Sequence, residues 1–161
     1  MSESNQDEGL LFLKNERIDE FNKWRMKNLT LKLTFDKTDL SAKNISNAFL
    51  NGISFIDCNF SNSNLQYSNL VQSIMTNSVF DHADLSNAIF MFADLKNSMI
   101  TNSNLNNTNF MASNLQRADL RGSILNRTIF VEADLTNANT SGLDGNRAFL
   151  KSSKLKGTIW E

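Results

Sequence analysis

His82 and Cys58 are the only histidine and the only cysteine of the 161-residue chain. A catalytic base, an activated nucleophile or a zinc centre needs such groups clustered, each orienting or polarising the next. One histidine with no second histidine and no cysteine beside it cannot build a usual zinc site. The carboxylates are scattered, and no close pair is suggested for acid–base work. No glycine-rich phosphate loop or dinucleotide fingerprint occurs. Arg117, Arg121, Arg127, Arg147, Lys151, Lys154 and Lys156 form a mildly basic end, but no basic stripe carries the aromatics a nucleic-acid surface needs. The expectation is a protein that is not an enzyme, with no catalytic, cofactor-binding or metal-binding residues and no direct contact with nucleic acid.

Composition narrows the class further. There are no prolines, only 6 glycines, and a surplus of Asn, Ser and Leu. The formal net charge of −1 gives no general attraction to polyanions or anionic membranes. Charge is uneven along the chain, however. Residues 44–95 hold Asp57, Asp81, Asp84 and Asp94 with no Lys or Arg, whereas 96–160 hold twice as many bases as acids. A single cysteine excludes an intrachain disulfide, and no apolar run approaches the ~18 residues a spanning helix needs. A soluble cytoplasmic protein without membrane contact is expected.

The elements that would position these residues follow from a period of five. Every fifth residue from Leu40 to Leu135 is apolar, including Ile45, Phe60, Met75, Phe90, Phe110 and Phe130. The run lapses at Thr140 and Gly145, then resumes in register at Leu150, Leu155 and Trp160. Two residues before each centre sits a small side chain, such as Ala48, Cys58, Ser63, Ser78, Ala93 or Ala138. Successive fives step ~140° around a helix and would scatter the apolar residues over all its sides. On a flat strand an odd period alternates faces. Small residue, next residue and centre instead read in–out–in, a three-residue strand. The second residue after the centre is mostly Asn or Gly, as at Asn47, Gly52, Asn62, Asn77, Gly122 and Asn137. Those residues suit the positive-φ position of a type II turn. Each unit is therefore a short strand plus a corner. Cys58 falls on an inward slot, a buried inert thiol, and His82 on an outward corner.

Units such as "ADLSN", "ADLKN", "SNLQR", "ADLRG" and "ADLTN" resemble the pentapeptide-repeat family over about residues 33–160. The resemblance implies an all-β fold, a right-handed quadrilateral parallel β-helix with four units, twenty residues, per coil. Central phenylalanines pair at that lag (Phe35/Phe55, Phe60/Phe80, Phe90/Phe110/Phe130) and never at fifteen. About six coils at the ~4.8 Å strand spacing would make a rod roughly 30 Å long.

Solenoids need covered ends. Residues 1–9 are acidic and polar and are expected to be disordered, 10–32 to form a cap with one short helix, and 33–161 the β-helix. Ile18, Phe21 and Trp24 fall on one side of a helix over 16–27, with Asn15 as N-cap. Trp24 reads as a plug for the first coil; partner binding is the alternative. At the other end Leu155, Ile159 and Trp160 would form a homodimer contact through the C-terminal coil, or Trp160 would fold over that coil as a monomeric lid. The stretch 140–149, with Leu143 in a small-residue slot and Gly145 at a centre, is a bulge or a binding loop.

Stacking at twenty residues converts sequence into a surface map. On the Leu50/Leu70/Phe90/Phe110/Phe130 face, the position after each centre reads Asn51, Val71, Met91, Met111, Val131, Lys151. The mid-strand column reads Phe49, Asn69, Ile89, Asn109, Ile129, Phe149, with Phe92 at the adjoining corner. All of these are expected to point outward. The face of Leu65, Leu85 and Leu105 instead carries Asn44, Asn64, Asp84 and Asn104. An apolar outer face reads either as stacking between coils or as a contact surface for an unidentified protein partner. The expected function is a non-enzymatic scaffold or protein-interaction module. The resemblance supplies an alternative, mimicry of DNA toward a type II topoisomerase such as gyrase, as in quinolone protection. That activity requires an acidic face, which near-neutral repeats lack.

Overall fold

The computed structural model describes residues 3–161. From Thr34 onward the chain winds into a tube. Each mid-unit residue from Thr34 to Asp134, Ile124 excepted, pairs in parallel with the residue twenty positions later, in four columns beginning at Thr34↔Ser54, Asp39↔Asn59, Asn44↔Asn64 and Phe49↔Asn69. The hydrogen bonds run both ways between coils: Ser54 donates to the Leu33 carbonyl at 3.0 Å, and Phe55 to the Ile74 carbonyl at 2.7 Å. In the body of the tube the backbone groups of a three-residue strand thus find partners although no strand extends further.

The corners obey the turn chemistry. Asn47, Asn62, Asn77 and Asn137 have φ of 61°, 59°, 61° and 60°, and Ser63 closes a turn on the Phe60 carbonyl at 3.1 Å. Glycine also relieves crowding at two corners. A Cβ on Gly122 would press on Asn102 Oδ1, and one on Gly157 would lie 2.5 Å from Asn137 Oδ1, so a larger residue would have to displace that side chain.

The apolar centres are buried along the axis, with Leu33 and Phe35 opening the series. Their rings form one continuous column. Phe60 and Phe80 stack at 5.0 Å, Phe90 and Phe110 at 5.1 Å, and Phe110 and Phe130 at 5.3 Å. Edge contacts Phe55–Phe60 and Phe80–Phe90 link the stacks. Most buried hydroxyls are satisfied by backbone carbonyls of the same or the previous coil, Ser98 Oγ excepted: Ser63 Oγ donates to the Phe60 carbonyl at 2.6 Å and Ser78 Oγ to that of Phe55 at 2.6 Å.

The N-terminal region differs from expectation. Two helices precede the tube, α1 (Glu3–Lys14) and α2 (Ile18–Lys27), where one was expected. Residues 3–9, expected to be disordered, are the first turns of α1; residues 1–2 of that expectation lie outside the described residues. The acidic run concealed a helix because its apolar residues, Leu10 and Leu13, come only in the last turns. Asn15 is no cap: its amide donates to the Leu11 carbonyl at 2.9 Å, and Arg17 takes the N-cap position of α2 with no side-chain bond. Phe21 and Trp24 are buried against the first coil.

Candidate interaction surface

The outward columns come from one local rule. At most mid-strand positions an Asn or Asp carboxamide or carboxylate oxygen accepts the backbone N–H two residues on. Asn64 accepts from Gln66 at 3.0 Å, Asn69 from Val71 at 3.1 Å, Asp84 from Ser86 at 3.0 Å and Asn109 from Met111 at 2.9 Å. This short side-chain bond shapes the approach to each corner. The Asn44/Asn64/Asp84/Asn104 ladder is therefore structural as well as polar, a role the bare pattern did not reveal.

Against that rule, four mid-strand residues of the opposing kind stand out on one face: Phe49, Ile89, Ile129 and Phe149. Each gives up the Asx bond. The N–H groups of Asn51, Met91, Val131 and Lys151 accordingly make no hydrogen bond among the described residues. Phe92, at the corner of this face, holds φ 59° and is 55% exposed. A residue other than Gly or Asn in that region costs about 1–2 kcal/mol.

The residues expected on this face differ in exposure. Ile89, Phe92 and Phe149 are open to solvent, but Val71, Met91, Met111, Val131 and Ile129 are half-buried rather than freely projecting. Neighbours twenty residues apart lie one strand spacing away and shield one another. Ile74, Val79 and Met99 also take apolar side chains to mid-strand positions, on the two faces that follow the Phe92 corner, and Ile74 and Met99 are exposed. Reading the same twenty-residue columns on those faces would have found them.

The lone chemistry-bearing residues are placed apart. Cys58 is buried, its Sγ donating to the Phe35 carbonyl at 3.1 Å, and burial pushes its thiol up to about 11. His82 stands at an exposed corner, its Nδ1 2.9 Å from Asp81 Oδ2. Asp81 is held down at about 2 by hydrogen bonds from Thr101, Asn102 and His82. Asp57, Asp81, Asp84 and Asp94 lie on different corners and columns. Among the described residues no group of His, Cys, Asp and Glu could hold a metal ion.

At the far end Trp160 is half-buried, 6.1 Å from the Phe130 ring, and its Nε1 donates to the Leu143 carbonyl at 3.2 Å. Leu155 is half-buried and Ile159 is 59% exposed. The 140–149 stretch contains a 3-10 turn at Gly145–Arg147. It returns to register when β2 (Ala148–Phe149) pairs in parallel with β1 (Thr128–Ile129).

Parallel pairing at a fixed twenty-residue offset around a filled axis defines a parallel β-helix. The pentapeptide-repeat pattern, in eight copies, matches residues 38–77, 53–90 and 88–127, and the chain belongs to the pentapeptide-repeat family. No curated protein sequence matches it. Among solved structures it is similar to HetL, a pentapeptide repeat protein of the cyanobacterium Nostoc sp. strain PCC 7120 involved in heterocyst differentiation regulation. The identity is 19%, with 80% of this chain and 87% of that one covered and a TM-score of 0.48. It is also similar to QnrB1, a plasmid-mediated fluoroquinolone resistance protein, at 18% identity, with 78% and 81% covered and a TM-score of 0.43. A third is a pentapeptide repeat protein of the Arabidopsis thaliana thylakoid lumen, at 23% identity, with 66% and 68% covered and a TM-score of 0.31. No helix among the described residues is long and apolar enough to cross a membrane.

Proposed function

We propose that the chain is a non-enzymatic, cytoplasmic interaction scaffold of about six coils, capped by its N-terminal helices, which binds a protein partner through the face of Ile89, Phe92 and Phe149. One observation carries this reading. The face abandons the Asx bond at Phe49, Ile89, Ile129 and Phe149 and places an exposed phenylalanine in a left-handed corner. Each choice costs local stability and none adds to the buried core, and together they gather exposed apolar side chains on one face. Val71, Met91, Met111 and Val131 extend the patch as a half-buried floor, with methionines that adapt to a partner's shape.

A homodimer through the last coil belongs to the same proposal, with Ile159 and Leu155 at the contact and Trp160 beneath them. DNA mimicry toward a type II topoisomerase draws less support, because Asp57, Asp81, Asp84 and Asp94 are spread over different columns instead of forming one anionic face.

The double substitution Ile89→Asn with Phe92→Asn restores the local rule at both positions. It should leave the protein at least as stable as wild type while abolishing capture of the partner from lysate of the source cells. Wild type and variant capturing the same proteins would refute the apolar-face reading. Salt-sensitive inhibition of gyrase supercoiling would favour the mimic.

A further inference from the structure

On two columns the coil-to-coil pairing runs to the last coil, through Ile129↔Phe149 and Asp134↔Lys154, and on a third it ends one pair short of Ile159, at Asp119↔Asn139. The fourth stops at Asn104↔Ile124. The cause is an inversion of side-chain size. Leu143 fills the slot that most units give to Ala, Ser or Thr, and Gly145 leaves the centre empty. Trp160 occupies that space, its ring atoms 3.1–3.3 Å from where a Gly145 Cβ would stand, and it binds the Leu143 carbonyl. Residues 143–145 are drawn toward the axis end and cannot lie along 123–125.

Three ladder groups are left over. Leu125 N–H, Arg127 N–H and Ser123 C=O make no hydrogen bond among the described residues. Their equivalents one coil earlier do: Leu105 donates to the Ile124 carbonyl at 3.0 Å, Asn107 to that of Asn126 at 2.9 Å, and the Ser103 carbonyl accepts from Ile124 at 2.8 Å. Leu125 is only 3% exposed, so its free N–H belongs to a packed strand and not to a solvated loop. Ser123, Ile124, Leu125, Leu143, Asp144 and Arg147 enclose a groove of about 300 Å³ beside it.

We propose that this gap is a slot for a short extended segment of a partner polypeptide, which completes the interrupted ladder. One residue of that segment brackets Ile124, donating its N–H to Ser123 C=O and accepting from Leu125 N–H; the carbonyl two residues further on accepts from Arg127 N–H. Alternating donors and acceptors at strand spacing are what an extended backbone presents, and strand addition to an exposed edge is a general way of binding peptides. The side-chain requirements are also written in the groove. Ile124 is the first apolar residue in a column that reads Asn44, Asn64, Asp84, Asn104 below it, and it offers an apolar neighbour to the bracketing residue. Arg127 has no ion pair among the described residues, and Arg147, at the same corner one coil on, shares only the exposed Asp144 at 3.7 Å. Acidic residues flanking an apolar one fit that environment. The slot lies on a different face from the Ile89/Phe92 patch, so either site can fail without the other.

The test uses the full chain and the capped peptide acetyl-Glu-Val-Glu-Val-Glu-amide, beside a version N-methylated at both valines. Saturating peptide should slow amide exchange at Leu125 and Arg127 at least tenfold, and N-methylation should weaken binding at least tenfold. Unmoved amides at millimolar peptide, or equal binding of the methylated version, overturn the proposal. Leu143→Ala with Gly145→Leu restores the usual size order. It should protect the Leu125 amide without peptide and abolish peptide binding, and persistent binding to that variant would count against the slot. Dimers that compete with the peptide would reassign the slot to a second copy, which also overturns a partner segment as occupant.

Discussion

The two ends of the tube face the same problem, a ring of unpaired strand edges around an apolar axis, and solve it differently. At the Phe35 end the axis is plugged by Phe21 and Trp24, whose rings lie 5.9 Å apart, with Leu13 behind them. On the Phe49 side the rim is paired as well. The Asn22 amide accepts from Phe49 N–H at 2.8 Å, a bond a preceding strand would make, and donates to the Asn47 carbonyl at 2.9 Å. Buried Arg25 adds a bond to the Asn51 carbonyl at 3.1 Å. At the Trp160 end one aromatic covers part of the axis, while the N–H groups of Leu150 and Leu155 have no partner among the described residues. Plugging an axis needs only apolar volume, whereas closing a rim needs donors and acceptors at strand spacing. The first end has both and the second has mainly volume.

That contrast can be broken by substitution. The largest effect is expected from Trp24→Ala, which empties the sealed end and should cost about 3–5 kcal/mol by chemical denaturation. Trp160→Ala removes a half-buried ring and should cost less, about 1–2 kcal/mol; a cost equal to that of Trp24→Ala would show the ends to be equivalent plugs. Asn22→Ala isolates the rim, with an expected loss of about 0.5–1.5 kcal/mol and faster amide exchange at Phe49. Ile159→Asp should leave unfolding unchanged yet dissociate any dimer in sedimentation, and an unaltered mass would place the contact elsewhere.

Acid gives the smallest effect. Burial opposes ionisation of Asp134, but hydrogen bonds from Thr136, Gln116 and Lys154 outweigh it and hold the carboxyl well below the usual range. A depressed folded pKa stabilises the fold above the unfolded value of about 4 and loses that contribution as pH falls below it. Asp134→Asn should therefore flatten the decline in stability below about pH 4, and an unchanged slope would show that other acids set it.

The period of five was enough to place nearly every buried side chain. Phe60, Phe80, Phe90, Phe110 and Phe130 reach the axis because a three-residue strand and a two-residue corner repeat without error, and their lag of twenty foretells the stacks. The outer face was legible in position but not in exposure. Whether Met91 and Met111 project or shield each other depends on neighbours one coil away, which a single unit does not contain. The helix over residues 3–9 escaped notice because acidic, polar residues carry no period until they meet the first coil.

What the chain's own order of residues determined is a local alternation, small then large inward and Asn or Gly at the turn, repeated until the backbone must close on itself. What only the tertiary structure decided is how unlike segments meet. Asn22 lands on the rim at Asn47 and Phe49, and Trp160 enters the space that Gly145 leaves, opening the edge at Leu125. Repetition is a nearest-neighbour property and can be read unit by unit, whereas those contacts join residues that share no period and depend on where the finished coils bring them.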